Sequence, residues 1–184
     1  MYATSDFRNG LKILLDEIPY EITYFQHVKP GKGGAFVRTK LRNLKNGSVV
    51  EKTFRSSEKV GVPDISDVDM QFLYADDSFH FMNTETYDQI AIPTDVVGDR
   101  ALYLKENTVV RILLFNGEVI SIELPSFVEL EVTECEPGVK GDTVSGASKP
   151  AKLETGASVQ VPLFINQGDV LKIDTRTSTY VERV

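Results

Sequence analysis

Apolar and polar residues alternate with a period of two through much of this chain, and a sustained helical period is missing. The clearest case is Phe127-Val128-Glu129-Leu130-Glu131-Val132-Thr133, apolar on one side and polar on the other. Residues 21–28 are rich in β-branched and aromatic side chains and read as a strand. Residues 39–45 and 48–54 flank Asn46-Gly47, and residues 109–115 and 118–124 flank Asn116-Gly117. Each dipeptide predicts a two-residue type I′ hairpin, because Asn and Gly tolerate the positive φ that both central positions need. In the arm after Asn116-Gly117, Ile120, Ile122 and Leu124 share one face. Residues 159–161, 163–165 and 170–173 read as short closing strands. Thr94-Asp95-Val96-Val97 starts like a capped helix and stops at Gly98, enough for one turn. Residues 136–150, rich in Gly, Ser, Thr and Pro, read as a long exposed loop.

Many short strands at regular turn spacing predict an all-β protein of barrels or sandwiches. A single long sandwich and several small barrels both fit the pattern. Gly61-Val62-Pro63-Asp64 and Leu124-Pro125-Ser126 punctuate the chain, and its charge changes character near residue 64. Three small barrels over 1–64, 65–127 and 128–184 are therefore expected. The 184 residues are too few for a TIM barrel of about 250. An apolar share of 41% against 26% charged is ordinary for a globular protein and argues against disorder. No stretch approaches the roughly 18 apolar residues of a membrane span. The segment Met1-Tyr2-Ala3-Thr4-Ser5-Asp6 lacks the basic cluster and apolar run of a secretory signal, so a cytoplasmic protein is expected. The single Cys135 excludes an internal disulfide, and with only His27 and His80 it makes a poor inventory for zinc. No metal site is expected.

The net charge of −7 argues against a nucleic-acid binder, but its distribution does not. Residues 1–64 carry eleven Lys/Arg against seven Asp/Glu, a net +4, and residues 65–184 carry nine against twenty, a net −11. Within the first segment Lys29, Lys32, Arg38, Lys40, Arg42 and Lys45 follow one another with no acid between them. Such a run is either a face that meets RNA phosphates or a solvated sheet edge kept basic against aggregation.

The most unusual local feature is Lys29-Pro30-Gly31-Lys32-Gly33-Gly34-Ala35, set between two β-like runs. Proline fixes φ and the glycines open conformations closed to other residues, so a projecting tip with Lys32 at its end is expected. Such a lysine can enter a narrow site or be reached by a modifying enzyme. A generic turn with an incidental lysine is the plainer alternative. The tip is not a phosphate-binding P-loop, since Gly33 rather than Ser or Thr follows Lys32. No Gly-x-Ser-x-Gly elbow occurs, and both histidines lie within apolar β runs, where half-buried strand positions are expected. Asp76-Asp77 reads as solubilising surface. No catalytic group is assigned. Residues 141–165, rich in small side chains at their start, form either a backbone-rich loop able to approach RNA closely or an ordinary barrel loop.

Pro30-Gly31-Lys32-Gly33-Gly34-Ala35-Phe36-Val37-Arg38, the 141–165 stretch, and Thr175-Arg176 with Tyr180 and Arg183 together resemble bacterial translation elongation factor P over essentially the whole chain. The resemblance implies a KOW-like, SH3-like barrel followed by two OB-type barrels, in a tRNA-like shape. It implies a monomer that binds the ribosome between the P and E sites and aids peptide-bond formation at consecutive prolines. Lys32 would reach the acceptor end of the P-site tRNA and receive a lysine-type extension from a modifying enzyme, with Pro30, Gly31, Gly33 and Gly34 supporting it. Gly141, Asp142 and Thr143 match a loop that approaches the E-site codon of the mRNA, and Tyr180 and Arg183 match positions near the P-site tRNA. Asp95 to Asp99 resembles a ribosome-facing loop of the second domain. Lys29, Arg38, Lys40 and Arg42 complete the RNA-binding set. No membrane partner and no cofactor beyond that covalent modification are implied. Two rival readings remain: a general single-stranded nucleic-acid binder built on OB barrels, and a paralogue of the same architecture. The first needs exposed aromatics on a basic groove, whereas Phe72, Tyr74, Phe79, Phe81 and Tyr87 sit among acids.

Overall fold

A computed structural model describes residues 1–138 and 147–184. The first strands are β1 (Tyr2–Ala3), β2 (Lys12–Leu15), β3 (Ile18–Val28), β4 (Phe36–Asn43), β5 (Val49–Arg55) and β6 (Lys59–Val60). Next come β7 (Ile65–Ala75), β8 (Ser78–Asn83), β9 (Gln89–Pro93), β10 (Val109–Phe115) and β11 (Glu118–Glu123). The last are β12 (Phe127–Cys135), β13 (Ser148–Leu153), β14 (Ser158–Pro162), β15 (Val170–Asp174) and β16 (Thr179–Arg183). They form sheets of order β2-β3-β4-β5, β11-β10-β7-β8-β9 and β14-β13-β12-β15-β16, with β1 paired to β6. Among the described residues, helix is confined to α1 (Thr94–Val97) and two 3₁₀ segments, Thr4–Asp6 and Gly98–Tyr103. The fold is all-β, as the alternation predicts.

The chain divides into two compact units, residues 1–67 with 112–121 and residues 68–111 with 122–184. In the first, Phe7, Leu11, Ile13, Ile22, Val37, Leu41, Phe54 and Val60 form the core. Phe7 meets Phe54 edge to face at 5.3 Å between ring centres. In the second, Leu130, Val132, Leu153, Val161, Ile165, Leu171 and Ile173 are among the buried residues of one cluster, which Tyr103 joins. Two polar contacts hold the segment around Tyr103 there. Thr155 Oγ1 donates to the Leu102 carbonyl at 2.5 Å, and Lys105 pairs with Glu154 at 3.1 Å.

The two Asn-Gly turns behave differently. At Asn116-Gly117 both φ angles are positive, 51° and 80°, as a type I′ hairpin requires. At Asn46-Gly47 only Gly47 is positive, at 77°. There the Asn43 side-chain Oδ1 accepts from the Lys45 and Asn46 amides, and β4 ends at Asn43, so the connection is a longer loop. Residues 163–165, expected as a strand, form a turn closed by Ile165 N–H donating to the Pro162 carbonyl at 3.2 Å. Proline at 162 removes the amide a continuing strand would need. At the other end of the expected 136–150 loop, Ser148, Lys149 and Pro150 already belong to β13. His27 is exposed rather than half-buried, whereas His80 is half-buried as expected.

Candidate functional site

The hairpin β3–β4 carries the site. Its strands run antiparallel with Val28 opposite Phe36, so residues 29–35 form its tip. Ser56 N–H donates to the Ala35 carbonyl at 3.1 Å and anchors one foot of that tip. Gly33 has φ +115°, a conformation that any side chain would strain. Gly31 and Gly34 have open space where a Cβ would stand. Lys29, Pro30, Gly31, Lys32, Gly33 and Gly34 are all exposed.

Behind the tip, β4 alternates strictly. Val37, Thr39, Leu41 and Asn43 are buried, and Arg38, Lys40 and Arg42 face solvent. Thr39 remains inside because its Oγ1 donates to the Lys52 carbonyl at 2.7 Å. The three outward cations differ in their partners. Arg42 is ion-paired with Glu21 of β3. Lys40 lies 3.8 Å from Glu51 of β5, both well exposed, a pairing of small energetic weight. The Arg38 guanidinium lies 5.4 Å above the Phe36 ring, and among the described residues it has no carboxylate ion-paired to it. Lys29 and Lys32 likewise have none there. Lys45, the last cation of the run, sits 5.2 Å over the Phe115 ring. An open concavity of about 470 Å³ lies on this sheet, lined by Tyr24, Gln26, Arg38, Lys40, Glu51 and Thr53 among others.

The remaining sequence-derived residues lie elsewhere. Tyr180 in β16 packs half-buried against the core of the second unit. Arg183 lies 3.7 Å from Asp169 and 5.4 Å over the exposed Phe164 ring. Gly141, Asp142 and Thr143 fall outside the described residues. The ends that flank them are tied together: Lys149, only 7% exposed, donates from Nζ to the Glu136 carbonyl at 2.5 Å. Asp95 to Asp99 spans α1 and the start of the second 3₁₀ segment.

Sequence reading missed three features. Tyr24 and Gln26 stand beside Lys40 and Arg38 in the β3–β4 register, a pairing the sequence signals only once that register is known. Lys149 sits at a buried position of an alternating strand, visible in principle from the spacing of Lys149, Ala151 and Leu153. His80 stacks on Tyr74 at 4.3 Å between ring centres and places Nε2 2.8 Å from Asp76 Oδ1. The Ser78 amide, and then His80, hold the Asp76 carboxyl below its ordinary value of 3.8. The Asp174 carboxyl is lowered chiefly by the Arg176 side chain, which hydrogen-bonds to both its oxygens. Among the described residues no three His, Cys, Asp or Glu side chains converge as metal ligands. No described helix is long and apolar enough to cross a membrane.

Comparison with known proteins divides the chain along its length. Residues 3–60 match the elongation factor P (EF-P) KOW-like domain, residues 65–122 the EF-P OB domain, and residues 128–183 the elongation factor P C-terminal model. An elongation factor P from Natranaerobius thermophilus is 58% identical, with all of this chain and 98% of the relative covered. One from Nitratidesulfovibrio vulgaris is 57% identical, with both chains covered in full. The chain belongs to the elongation factor P family. It is a translation elongation factor, and its first two sheets correspond to KOW-like and OB domains. Among solved structures, a translation initiation factor 5A from Methanococcus jannaschii matches with a TM-score of 0.55 at 25% identity, covering 67% of this chain and 91% of that one. A family protein of the same factor from Naegleria fowleri, at 15% identity and a TM-score of 0.50, shares the fold.

Proposed function

We propose that this factor binds the ribosome between the P and E sites and relieves stalling at consecutive prolines by stimulating peptide-bond formation. Lys32 reaches toward the acceptor end of the P-site tRNA, on its own or lengthened by a modifying enzyme, and no further cofactor takes part. Pro30, Gly31, Gly33 and Gly34 hold the tip. Lys29, Arg38, Lys40 and Arg42 face RNA phosphates, Tyr180 and Arg183 the tRNA further along, and Gly141, Asp142 and Thr143 the E-site codon. The factor acts as a cytoplasmic monomer of three domains, 1–64, 65–127 and 128–184.

The observation that carries this reading is the glycine-flanked, exposed Lys32 at the end of a hairpin whose outward strand positions are cationic. Such a tip supplies orientation rather than acid–base chemistry. Holding reacting groups in register can lower a barrier by several kcal/mol, up to about 7–11 kcal/mol in the best-oriented systems. The chemistry then belongs to the ribosome. Translation of a reporter with a run of prolines, titrated with wild type and Lys32→Ala, tests it: the variant should rescue poorly, and full rescue would sink the proposal.

A further inference from the structure

Five aromatic side chains stand conspicuously exposed: Tyr24, Tyr74, Tyr87, Phe127 and Phe164. Three have a partner on the ring. His80 stacks on Tyr74, Lys172 and Arg176 lie over Phe127, and Arg183 lies over Phe164. Tyr87 sits in an acidic turn between Glu85 and Asp88, at a positive φ of 64°. Tyr24 is different. It is 46% exposed, stands on the sheet face that carries Arg38 and Lys40, and among the described residues neither a ring nor a cation stacks on it. Its hydroxyl donates to Gln26 Oε1 at 3.4 Å, which steadies both side chains without covering the ring. In the sheet register Tyr24 is opposite Lys40 and Gln26 is opposite Arg38. Arg38 in turn is opposite Thr53. All of these line the open concavity of about 470 Å³, a size in the ordinary range for small-ligand sites.

An uncovered aromatic beside an unpaired guanidinium, Arg38, with Lys40 only loosely paired to Glu51, is the arrangement by which proteins hold single-stranded nucleic acid. The ring takes a base face, and the cation takes the neighbouring phosphate. A double-stranded segment, whose bases are already stacked, would use only the cations. We propose that Tyr24, Gln26, Arg38 and Lys40 form a subsite for one unpaired RNA nucleotide, its base on the Tyr24 ring and its phosphate on Arg38. The Gln26 amide and Thr53 hydroxyl border the site and are placed to meet polar edges of base or ribose. The subsite rests on the RNA-facing reading of this sheet and adds to it a preference for an unpaired nucleotide.

Binding of the full chain to a fluorescein-labelled single-stranded RNA hexamer and to the blunt duplex of the same sequence, across a salt series, tests the subsite. Wild type should prefer the single strand. Tyr24→Ala should lower single-strand affinity about tenfold and leave duplex affinity unchanged, while Tyr24→Phe, which keeps the ring, should stay near wild type. Arg38→Gln should weaken both and reduce the single-strand salt slope by about 0.7. Thermal melts exclude misfolding. If Tyr24→Ala binds the hexamer as wild type does while Arg38→Gln weakens both probes, stacking is refuted and the phosphate-facing sheet survives. If wild type binds neither RNA, the subsite is refuted outright. The proline-reporter assay with Lys32→Ala, run in parallel, reports on the ribosomal function separately.

Discussion

Tyr180 and Arg183 lie on the same side of the C-terminal sheet although they stand three positions apart along one strand. Tyr180 is opposite Ile173 and Arg183 is opposite Leu171, two buried neighbours that share a face. A regular strand would place residues three apart on opposite faces. The register shift at Lys172/Ile173 leaves Val181 without a partner, and that bulge restores the pair to one side. Their duties still differ, since Tyr180 packs against the core and Arg183 reaches outward to Asp169 and Phe164. Arg183→Ala should therefore change stability by under about 0.5 kcal/mol and raise the factor concentration needed for half-maximal rescue. Tyr180→Ala should cost about 1–3 kcal/mol, and Tyr180→Phe should keep the fold and report the hydroxyl alone. Melting curves beside a titrated reporter separate the two residues.

Lys32→Ala removes an exposed side chain with no ion-pair partner among the described residues. Melting temperature should remain within the shift of about 0.5 kcal/mol while proline-run translation falls. Replacing Gly33 by Ala should act otherwise. Its φ of +115° is unfavourable for any side chain, so the tip should distort and rescue should drop with Lys32 still present.

On the proposed RNA-facing reading of this sheet, the Arg42–Glu21 ion pair should make Arg42 a weaker phosphate ligand than its place in the cationic run suggests. Removing the acid should release it. Glu21→Gln should raise RNA affinity and steepen its salt dependence, at a stability cost of about 0–1 kcal/mol. Charge reversal at Arg42 should weaken ribosome binding and flatten the same slope. Filter binding at several salt concentrations measures both, and two unchanged slopes would remove Arg42 from the RNA face.

The Asp76 carboxyl should titrate below 3.8 in an NMR experiment. Because the folded group is the stronger acid, its contribution to stability is complete above the unfolded value and disappears as pH falls through the folded midpoint. His80→Ala should move that midpoint upward only part of the way, since the Ser78 amide is the larger cause. A midpoint that returns fully to 3.8 would place the whole effect on the imidazole.

What the sequence by itself determined is local. Alternation along β12 and the Asn116-Gly117 turn were legible because a strand's two faces and a turn's φ angles depend on a few neighbouring residues. The projecting Lys32 was legible for the same reason: proline and glycine act on their own backbone. The KOW-like and OB assignment came from a resemblance in motifs, not from periodicity. What only the tertiary structure decided involves, with one exception, partners distant in sequence; the exception is a local side-chain capture that competes with the expected turn. Asn43 captures the Lys45 and Asn46 amides and so turns an expected two-residue hairpin into a longer loop. Glu21 reaches Arg42, and Tyr24 stands beside Lys40, because an antiparallel register brings β3 and β4 side by side. Lys149 is buried where a loop was expected, since its ammonium finds the Glu136 carbonyl across the fold. Cations that look equivalent in a run of residues become unequal only when the sheet assigns each its neighbour, because an ion pair depends on separation in space.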